Sequence, residues 1–339
     1  MKDHKTYLVT GAAGFIGSNL AERLLKDGHT VVGIDDMSTG TQENLDILEK
    51  YKTFTFFKRS ISEKWFEEVF DWIFLFNRKI DCIFHMAALA RIQPAIQEPE
   101  NCLTRNVLGL MNILEAMRKF KIKNIVFSSS SSIYGLKHAN NLPLKEEYEP
   151  DCLNQYSWSK YSGEQLIKVY CTLYDLNGIC LRYFNVYGER ECLNADQYSP
   201  VVGLFFQQVL RDKKAMTVVG DGFQTRDMTH VSDVVDANIK AAEQCEKWTC
   251  SRFKGEVFNV GTGQDISILD LVKLIQKELR QKGIESLYEH IEPRPGESRL
   301  TRADISKTKK FLDWEPKDTL QQNISAHAEY YLKKYGYVK

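Results

Sequence analysis

The chain reads Thr10-Gly11-Ala12-Ala13-Gly14-Phe15-Ile16-Gly17 immediately after a short apolar run and at the start of an amphipathic one. The first run is typical of a buried strand and the second of a helix, so the three glycines occupy a strand-to-helix turn. Glycine lets such a turn close tightly, and the helix N-terminus offers unpaired N–H groups and the positive end of a dipole. These features predict a site for the pyrophosphate of a dinucleotide. Taken alone, a glycine-rich turn is also compatible with an ordinary strand-to-helix connection.

An acidic residue follows the second predicted strand. Asp35 stands eighteen residues after Gly17, at a position where a carboxylate accepts hydrogen bonds from the ribose hydroxyls of adenosine. A carboxylate there repels a 2′-phosphate, and no arginine stands beside it in the sequence. The sequence therefore predicts NAD rather than NADP as the cofactor.

Short apolar runs alternate with longer amphipathic ones through the first half of the chain, a pattern typical of a parallel sheet flanked by helices. Strands are predicted at 6–10, 30–34, 54–58, 82–86, 124–128 and 178–182. Helices are predicted at 98–120, 154–174, 200–211, 232–244, 268–281 and 320–334. The sequence thus predicts an α/β fold, with a doubly wound parallel (Rossmann) sheet in residues 1–187. Residues 188–339 are predicted to form mainly a smaller C-terminal α/β substrate-binding lobe, with some segments returning to the main domain.

Composition and charge narrow the classes of partner. The 339 residues include 45 basic and 45 acidic side chains, so the sequence predicts no nucleic-acid partner and no binding to an anionic membrane. The eight cysteines are scattered without a C-x-x-C pair, which is typical of reduced thiols and predicts no metal site. No apolar run approaches ~18 residues, and we expect a cytoplasmic protein.

Tyr156 and Lys160 stand four residues apart in the helix predicted at 154–174, on one face and one turn apart. A tyrosine hydroxyl with a pKa of ~10 is a poor base at neutral pH, and a neighbouring cation lowers that pKa. The pair is suited to moving a proton to and from a carbinol. An exposed surface pair is the alternative interpretation of this spacing, and the nucleotide-binding turn upstream favours the catalytic one.

With these motifs in this order, the chain resembles the extended short-chain dehydrogenase/reductase family of nucleotide-sugar epimerases and dehydratases. The resemblance covers nearly the whole chain and implies bound NAD and a nucleoside-diphosphate-sugar substrate. Further matching segments are His85-Met86-Ala87-Ala88, Asn106-Val107-Leu108-Gly109, Arg182-Tyr183-Phe184-Asn185-Val186-Tyr187-Gly188, Gly220-Asp221-Gly222-Phe223-Gln224-Thr225-Arg226-Asp227 and Arg294-Pro295-Gly296-Glu297.

The resemblance implies a role for each matched cofactor residue. In the family an aspartate commonly precedes the residue at position 61, whereas this chain has Ser60, which weakens one expected contact with adenine. The implied cofactor site consists of Gly11, Gly14, Phe15, Ile16, Gly17, Asp35, Asp36, Ser38, Ser60, Ile61, Ala87, Ala88, Tyr156 and Lys160.

The resemblance also implies the catalytic and substrate residues. Tyr156 would be the acid/base on the sugar hydroxyl, Lys160 would lower its pKa and hold the nicotinamide ribose, and Ser130 would share the proton. Asn185 and Arg226 would bind the diphosphate. Arg294 would add a second cation, and Glu297, where aspartate is usual, would bind the nucleoside ribose. The implied substrate site consists of Ser130, Ser131, Ser132, Tyr156, Asn185, Arg226, Arg294, Glu297 and Thr301.

The two residues after Ser130 discriminate between reactions. Family dehydratases carry Asp and Glu at these positions, and family decarboxylases carry a glutamate at the second; here they are Ser131 and Ser132. A serine hydroxyl cannot replace a carboxylic acid and carboxylate at neutral pH. The sequence therefore predicts oxidation and re-reduction at one carbon, which is the reaction of a nucleotide-sugar 4-epimerase.

The resemblance leaves alternatives for the sugar. A tyrosine four residues past the ribose-binding acid excludes an N-acetyl group in family 4-epimerases, and Thr301 stands there in this chain. We therefore expect UDP-N-acetylglucosamine and its galacto epimer as substrates, with UDP-glucose and UDP-galactose also accepted. A UDP-glucuronate 4-epimerase is the nearest competitor, although such enzymes usually carry threonine where this chain has Asn185 and arginine where it has Cys192.

Two further classes stay open from sequence: a sugar-nucleotide reductase that consumes a nicotinamide cofactor, and a nucleotide sensor without catalysis. The sensor is disfavoured because Ser130, Tyr156 and Lys160 are all present. The resemblance also implies a homodimer that pairs the helices predicted at 98–120 and 154–174.

Overall fold

The computed structural model describes residues 4–63, 66–75, 79–191, 200–247, 254–293, 298–317 and 319–338. The strands are β1 (Thr6–Thr10), β2 (Thr30–Asp35), β3 (Phe54–Lys58), β4 (Cys82–His85), β5 (Asn124–Ser130), β6 (Asn177–Tyr183), β7 (Val186–Tyr187), β8 (Met216–Val219), β9 (Thr225–Arg226), β10 (Thr229–His230), β11 (Glu256–Val260), β12 (Ile266–Ser267) and β13 (Tyr288–Ile291). The helices are α1 (Phe15–Lys26), α2 (Gln42–Leu48), α3 (Phe66–Leu75), α4 (Ile92–Gln97), α5 (Pro99–Leu103), α6 (Gly109–Phe120), α7 (Gln155–Tyr174), α8 (Val201–Leu210), α9 (Val231–Lys247), α10 (Ile268–Gln281), α11 (Ser306–Leu312) and α12 (Leu320–Lys334).

Seven strands form one parallel sheet in the order β11-β6-β5-β4-β1-β2-β3. Thr10, at the end of β1, lies opposite Ile34 of β2 and His85 of β4. The strand order reverses between β1 and β4, and doubly wound sheets bind ligands in the crevice at the carboxyl ends of such strands. The predicted α/β fold is confirmed, and each of the six predicted strands is present with ends within two residues of the prediction.

Both faces of the sheet are covered by helices, which explains why its central strands are almost wholly buried. Side chains alternate between the faces along β1. Tyr7 and Val9 pack in a core with α1 and α9, whereas Leu8 packs on the opposite side in a core with α3, α6 and α7.

The region after residue 187 contributes to both parts of the molecule. β11 pairs with β6, and α9 and α11 pack close to the main sheet. The remaining segments form the lobe, whose core includes Phe206, Ile275 and Tyr331 between α8, α10 and α12. The described residues also form three two-stranded sheets: β7 with β10, β8 with β13, and β9 with β12.

The helix predicted at 98–120 is divided by a π-helical turn, Thr104–Leu108, between α5 and α6. Such turns insert an extra residue and frequently lie at functional sites. The turn carries Asn106, whose Nδ2 donates to Ser159 Oγ of α7 at 2.9 Å and whose Oδ1 accepts from Leu89 N at 2.7 Å. Asn106 therefore ties the loop after β4 to the helix that carries Tyr156. Within the described ranges, no helix has the length and apolar character needed to cross a membrane.

Candidate active site

A cleft of about 650 Å3 runs along the carboxyl ends of the main sheet and between the sheet and the lobe. Every sequence-predicted site residue that the structure describes lines this cleft. They are Gly11, Gly14, Phe15, Ile16, Gly17, Asp35, Asp36, Ser38, Ser60, Ile61, Ala87, Ala88, Ser130, Ser131, Ser132, Tyr156, Lys160, Asn185, Arg226 and Thr301. Arg294, Glu297 and Cys192 lie outside the described residues.

The glycine turn packs too closely for side chains. Gly11 has a φ of +70°, and a Cβ there would lie 2.9 Å from Ala87 N. A Cβ on Gly17 would lie 2.0 Å from Gly11 O, so the turn and the first helical residues are in direct backbone contact. Glycine is thus required at both positions, and the backbone of the turn forms one wall of the cleft.

Helix α1 begins at this wall. Its N-cap is Gly14, which supplies no side-chain cap, and its first-turn residues Phe15 and Ile16 line the cleft. N–H groups at an uncapped helix N-terminus bind anions, and the dipole adds to the attraction. The turn therefore fits the pyrophosphate of a dinucleotide.

Asp35 organises the loops on either side of it. Its Oδ2 accepts from Ala13 N at 3.0 Å, and its Oδ1 accepts from Met37 N at 2.8 Å. Burial raises the pKa of Asp35, against the lowering effect of these backbone hydrogen bonds. The carboxylate is therefore held rigidly at the carboxyl end of β2, where a ribose would lie.

An arginine missed from sequence lies at the same end of the cleft. Arg105 Nη1 lies 3.1 Å from Asp36 Oδ2 and donates to Ser38 Oγ at 2.7 Å. The sequence argument for NAD considered only the neighbours of Asp35, and Arg105 comes from the π-helical turn far along the chain. Because Asp36 neutralises this guanidinium, it does not offer an unopposed positive charge to a 2′-phosphate.

The residues after β3 lie at the same end of the cleft as Asp36. Ser60 Oγ and Ser62 Oγ are 2.8 Å apart, and Asn112 Nδ2 donates to the carbonyl oxygen of Ile61 at 2.8 Å. The Ile61 side chain is buried in the core with α6. The Ser60 hydroxyl thus forms its hydrogen bond within its own loop.

The segment after β4 is fixed by a buried histidine. Thr10 Oγ1 lies 2.9 Å from His85 Nδ1 and accepts from Ala87 N at 3.2 Å. Burial, assisted by the charge of Lys160, lowers the pKa of His85 to about 3. His85 is therefore neutral at physiological pH, and the Thr10 hydroxyl that it contacts also holds Ala87 beside the cleft.

Helix α7 presents the predicted catalytic pair. A capping box at Asn154 begins the helix, and Tyr156 and Lys160 follow one turn apart. Lys160 Nζ donates to the carbonyl oxygen of Ser128 at 2.7 Å and lies 5.9 Å from the centre of the Tyr156 ring. Ser130 lies close enough to Tyr156 to lower the pKa of its phenol. Ser130, Tyr156 and Lys160 therefore converge in the cleft.

Burial is the main influence on the ionisation of this pair. Burial raises the pKa of Tyr156 above its usual value, against the lowering effects of the Ser130 hydrogen bond and the charge of Arg91. Burial also lowers the pKa of Lys160 to about 8. At neutral pH Lys160 is therefore still charged and the Tyr156 phenol is protonated in the ligand-free cleft. That Lys160 lowers the pKa of Tyr156 during the reaction stays a prediction.

The serine run after β5 forms a short turn beside Tyr156. Ser130 caps this turn by accepting from Ser132 N at 3.2 Å. Ser132 Oγ is buried and has no hydrogen-bond partner among the described residues. The serines therefore present hydroxyls, rather than carboxyl groups, to the part of the cleft beside Tyr156.

Asn185 and Thr301 meet on the lobe side. Asn185 has a φ of +26°, and its Nδ2 donates to Asp227 O at 3.1 Å and to Thr301 Oγ1 at 3.3 Å. Thr301 is buried beneath the cleft surface. Arg226 Nη1 donates to the carbonyl oxygens of Thr225 at 2.9 Å and Arg299 at 3.2 Å, which fixes its guanidinium on the lobe wall.

A second arginine missed from sequence stands near Tyr156. Arg91 borders the cleft as the N-cap of α4 and has φ +127° and ψ +148°, a conformation that side chains rarely adopt. Its charge opposes the rise in pKa that burial causes at Tyr156 and Glu191. Strained backbone of this kind clusters at functional sites. No motif marks this arginine, so sequence reasoning had no signal for it.

Other residues that line the lobe side of the cleft were also not singled out from sequence. They are Pro200, Val201, Val202, Leu204, Phe205, Thr217, Val219, Gln224, Met228, Ile268 and Ser298. Across the described ranges, no three His, Cys, Asp or Glu side chains are grouped so as to hold a metal ion.

Comparisons with known proteins agree with this architecture. The family model for GDP-mannose 4,6 dehydratase matches residues 8–326. UDP-glucose 4-epimerase of Mycolicibacterium smegmatis is 34% identical over 328 residues, which cover 96% of this chain and 98% of that protein. The structure of UDP-N-acetylglucosamine 4-epimerase from Methanobrevibacter ruminantium, in complex with UDP-N-acetylmuramic acid, has a TM-score of 0.85 at 29% identity, covering 98% of this chain and 99% of that one. UDP-glucuronic acid 4-epimerase from Bacillus cereus, in complex with UDP-glucuronic acid and NAD, has a TM-score of 0.82 at 31% identity, covering 97% of this chain and all of that one.

Proposed function

Because the chain belongs to the NAD-dependent epimerase/dehydratase family of extended short-chain dehydrogenases/reductases, we propose that it is a nucleotide-sugar 4-epimerase that inverts carbon 4 of a UDP-hexose. The observation that carries this proposal is the convergence of Ser130, Tyr156 and Lys160 in a cleft that is lined by the glycine turn on the sheet side and by Asn185, Arg226 and Thr301 on the lobe side.

The carboxylates of the cleft argue against elimination of water or loss of carbon dioxide. Among the described residues that line it, the acidic side chains are Asp35 and Asp36, and both lie at the adenosine end. Ser131 and Ser132 stand where an acid and a base would be needed beside Tyr156. The described site therefore supports proton transfer at one hydroxyl and not general acid and base catalysis at two carbons.

The cofactor of the proposed reaction is NAD. The glycine turn, the uncapped N-terminus of α1 and Asp35 fit its pyrophosphate and adenosine ribose. Asp36 pairs with the guanidinium of Arg105 at this end, so that positive charge is opposed rather than open to a 2′-phosphate. Bound at these residues, NAD would supply the hydride acceptor and donor for carbon 4.

The chain's own residues handle the proton. Tyr156 takes it from the 4-hydroxyl, with Ser130 as hydrogen-bond partner, and gives it back after the 4-keto sugar has turned in the cleft. Lys160, anchored on the Ser128 carbonyl, places a cation beside the ring at neutral pH. The raised pKa of Tyr156 in the ligand-free cleft means that the phenol is protonated until the cleft gains positive charge, so proton removal is coupled to cofactor binding.

UDP-N-acetylglucosamine and UDP-N-acetylgalactosamine are the proposed substrates, with UDP-glucose and UDP-galactose also accepted. Thr301 is small and buried, and its hydroxyl is held by Asn185, so this position adds no bulk to the sugar end. The M. ruminantium relative, whose ligand carries an N-acetyl sugar, supports the same choice.

A UDP-glucuronate 4-epimerase is the second candidate, and Arg91 is the observation that favours it. An arginine near Tyr156 could form charge-assisted hydrogen bonds with a sugar carboxylate. The B. cereus relative, which is named for this activity, has similar overall structure.

A substrate panel without added cofactor tests the proposal. Purified protein is incubated separately with UDP-glucose, UDP-N-acetylglucosamine and UDP-glucuronate, and the products are separated by chromatography and identified by NMR. The expected result is conversion of UDP-N-acetylglucosamine to its galacto epimer. Conversion of UDP-glucuronate alone would select the second candidate. A reductase or a non-catalytic sensor would convert none of the three.

We also propose a homodimer formed through α6 and α7. Trp158, Val169 and Leu173 project from one face of α7 and are about half exposed or more, and Leu108 and Met111 are exposed beside them. A neighbouring set of exposed apolar side chains on two helices is typical of an interface, and in a second copy the same set would supply the complementary face.

A further inference from the structure

The catalytic helix carries a third polar residue in line with the catalytic pair. Tyr156, Lys160 and Glu164 follow one another at intervals of four residues on α7, so they share one face of the helix. Opposite this face lies the end of β5, where Ser128, Ser129 and Ser130 are consecutive.

Each of the three helix residues contacts a different serine of the strand. Lys160 Nζ donates to the Ser128 carbonyl oxygen at 2.7 Å, and Ser129 Oγ donates to Glu164 Oε1 at 2.6 Å. The third residue, Tyr156, lies close enough to Ser130 for the serine to lower the pKa of the phenol. Two hydrogen bonds thus fix the register between helix and strand, and the one from Ser129 to Glu164 lies outside the proposed catalytic residues.

Glu164 is itself held by a buried arginine. Arg182 Nε and Nη2 donate to the two carboxylate oxygens of Glu164, each at 2.8 Å, and the two side chains are 4% and 1% exposed. Arg182 lies directly opposite Ser129 in the pairing of β5 with β6, and its guanidinium stacks over the Tyr134 ring at 4.8 Å. The carboxylate of Glu164 therefore joins α7, β5 and β6 at one point.

We propose that Glu164 is a positioning residue for catalysis, which locks α7 against the end of β5 so that Tyr156 stays within hydrogen-bond reach of Ser130. This inference rests on the proposed function, because it concerns the same proton transfer. A shift of α7 along its axis by a fraction of one residue rise, about 1.5 Å, is enough to break an aligned hydrogen bond. Bidentate pairing restricts such movement, because two parallel hydrogen bonds fix orientation as well as distance.

A purely structural role is the competing explanation. Buried ion pairs stabilise little on balance, and loss of one partner destabilises the fold because the other charge is left unpaired. The two explanations differ in what a mild change should do to the chemistry. A structural pair affects the melting temperature alone, whereas a positioning pair also affects kcat and the ionisation of Tyr156.

The test compares two substitutions in this network with one substitution at an equally buried residue outside it. Ser129→Ala removes the link to the strand and leaves the Glu164–Arg182 pair intact, and Glu164→Gln keeps the volume and removes the charge. Both are expected to lower kcat about tenfold, with KM nearly unchanged. Ile167→Ala, on the same helix and fully buried in the apolar core, is expected to lower the melting temperature and leave kcat unaffected.

A measurement without substrate separates this inference from the proposed function. The protein is labelled with 13C at the Cζ atom of its tyrosines, and NMR spectra of the parent and of Tyr156→Phe are compared. The resonance that is absent from the spectrum of the variant is assigned to Tyr156. Ser129→Ala should move its ionisation to higher pH, because the Ser130 hydrogen bond lowers the pKa of Tyr156. If Ser129→Ala changes neither kcat nor this titration, Glu164 is structural only. If the parent converts no UDP-sugar but the titration still shifts, the proposed function is wrong and the positioning stands.

Discussion

Lys160 and Ser128 are joined by a hydrogen bond of 2.7 Å in which the side-chain nitrogen of the lysine donates to the backbone carbonyl oxygen of the serine. This contact holds a buried cation at the end of the central sheet, beside the Tyr156 ring and above the Phe127 ring. The position is costly for a charge, since burial lowers the pKa of Lys160 to about 8. A charge kept at such a site indicates a functional use.

Replacing Tyr156 by Phe should lower kcat by about 10^2–10^4-fold, the usual contribution of a positioned acid/base. NAD should remain bound, because the phenyl ring keeps the packing of the cleft. Activity is followed by product NMR and bound nucleotide by absorbance after denaturation. Tyr161→Phe, the same change one position beyond Lys160 on α7, serves as the control. Full activity in Tyr156→Phe would refute the assignment.

Replacing Lys160 by Met should stabilise the ligand-free protein while it reduces activity. A lysine pKa lowered from 10.5 to about 8 corresponds to a cost of about 3 kcal/mol when the group is charged. The unfolded chain binds this proton more tightly than the folded protein does. The free energy of unfolding is therefore reduced by the full amount below pH 8, and it recovers as the pH rises from 8 to 10.5.

Thermal or urea unfolding at pH 7 and pH 10.5 checks this expectation. The free energy of unfolding of Lys160→Met should exceed that of the parent at pH 7, and the difference should shrink at pH 10.5. A variant that is less stable than the parent at both pH values would show that the lysine stabilises the fold.

Replacing Asp36 by Asn should raise the affinity for NADP about tenfold, as expected for one hydrogen bond to a charged group. The reason is that Arg105, now paired with Asp36 at 3.1 Å, becomes available to a 2′-phosphate. Calorimetric titration with NAD and NADP measures both affinities. The double change Asp36→Asn with Arg105→Gln should lose the gain; if it keeps the gain, another cation binds the phosphate.

Replacing Arg91 by Gln should distinguish the two candidate substrates. If a sugar carboxylate binds this guanidinium, kcat/KM for UDP-glucuronate should fall tenfold or more, roughly the value of a charge-assisted hydrogen bond, while kcat/KM for UDP-glucose changes little. Arg105→Gln, at the adenosine end, should affect both sugars equally. Equal effects of Arg91→Gln on both sugars would remove the argument for an acidic substrate.

Replacing Leu173 by Glu should convert the proposed dimer into a monomer. Leu173 is 66% exposed on the apolar face of α7, and a carboxylate there would be buried without a partner in a dimer. Light scattering coupled to gel filtration measures the mass. Leu287→Glu, at a leucine 76% exposed in the lobe, is the matched control. A parent protein that is monomeric at micromolar concentration would contradict the dimer.

The sequence was sufficient for features that depend on neighbours along the chain. The glycine turn, Asp35 and the Tyr156 spacing are local patterns, and periodicity located the sheet strands because each is short, apolar and bounded by polar turns. The structure then brought all the described site residues into one cleft.

Features that depend on distant segments could not be predicted. Arg105 reaches Asp36 only because the order of strands brings their elements together. The protonation of Tyr156 also escaped sequence reasoning, since spacing shows that a lysine is near but not how deeply both groups are buried.

The pairing of β11 with β6 makes the architecture discontinuous along the chain. A break at residue 187 would leave β6 as an unprotected edge and would strip α9 from one face of the sheet. Exchange of substrate specificity between relatives by recombination would therefore need more than one crossover, so that α9 and β11 are inherited with the nucleotide-binding half while the segments around them are replaced.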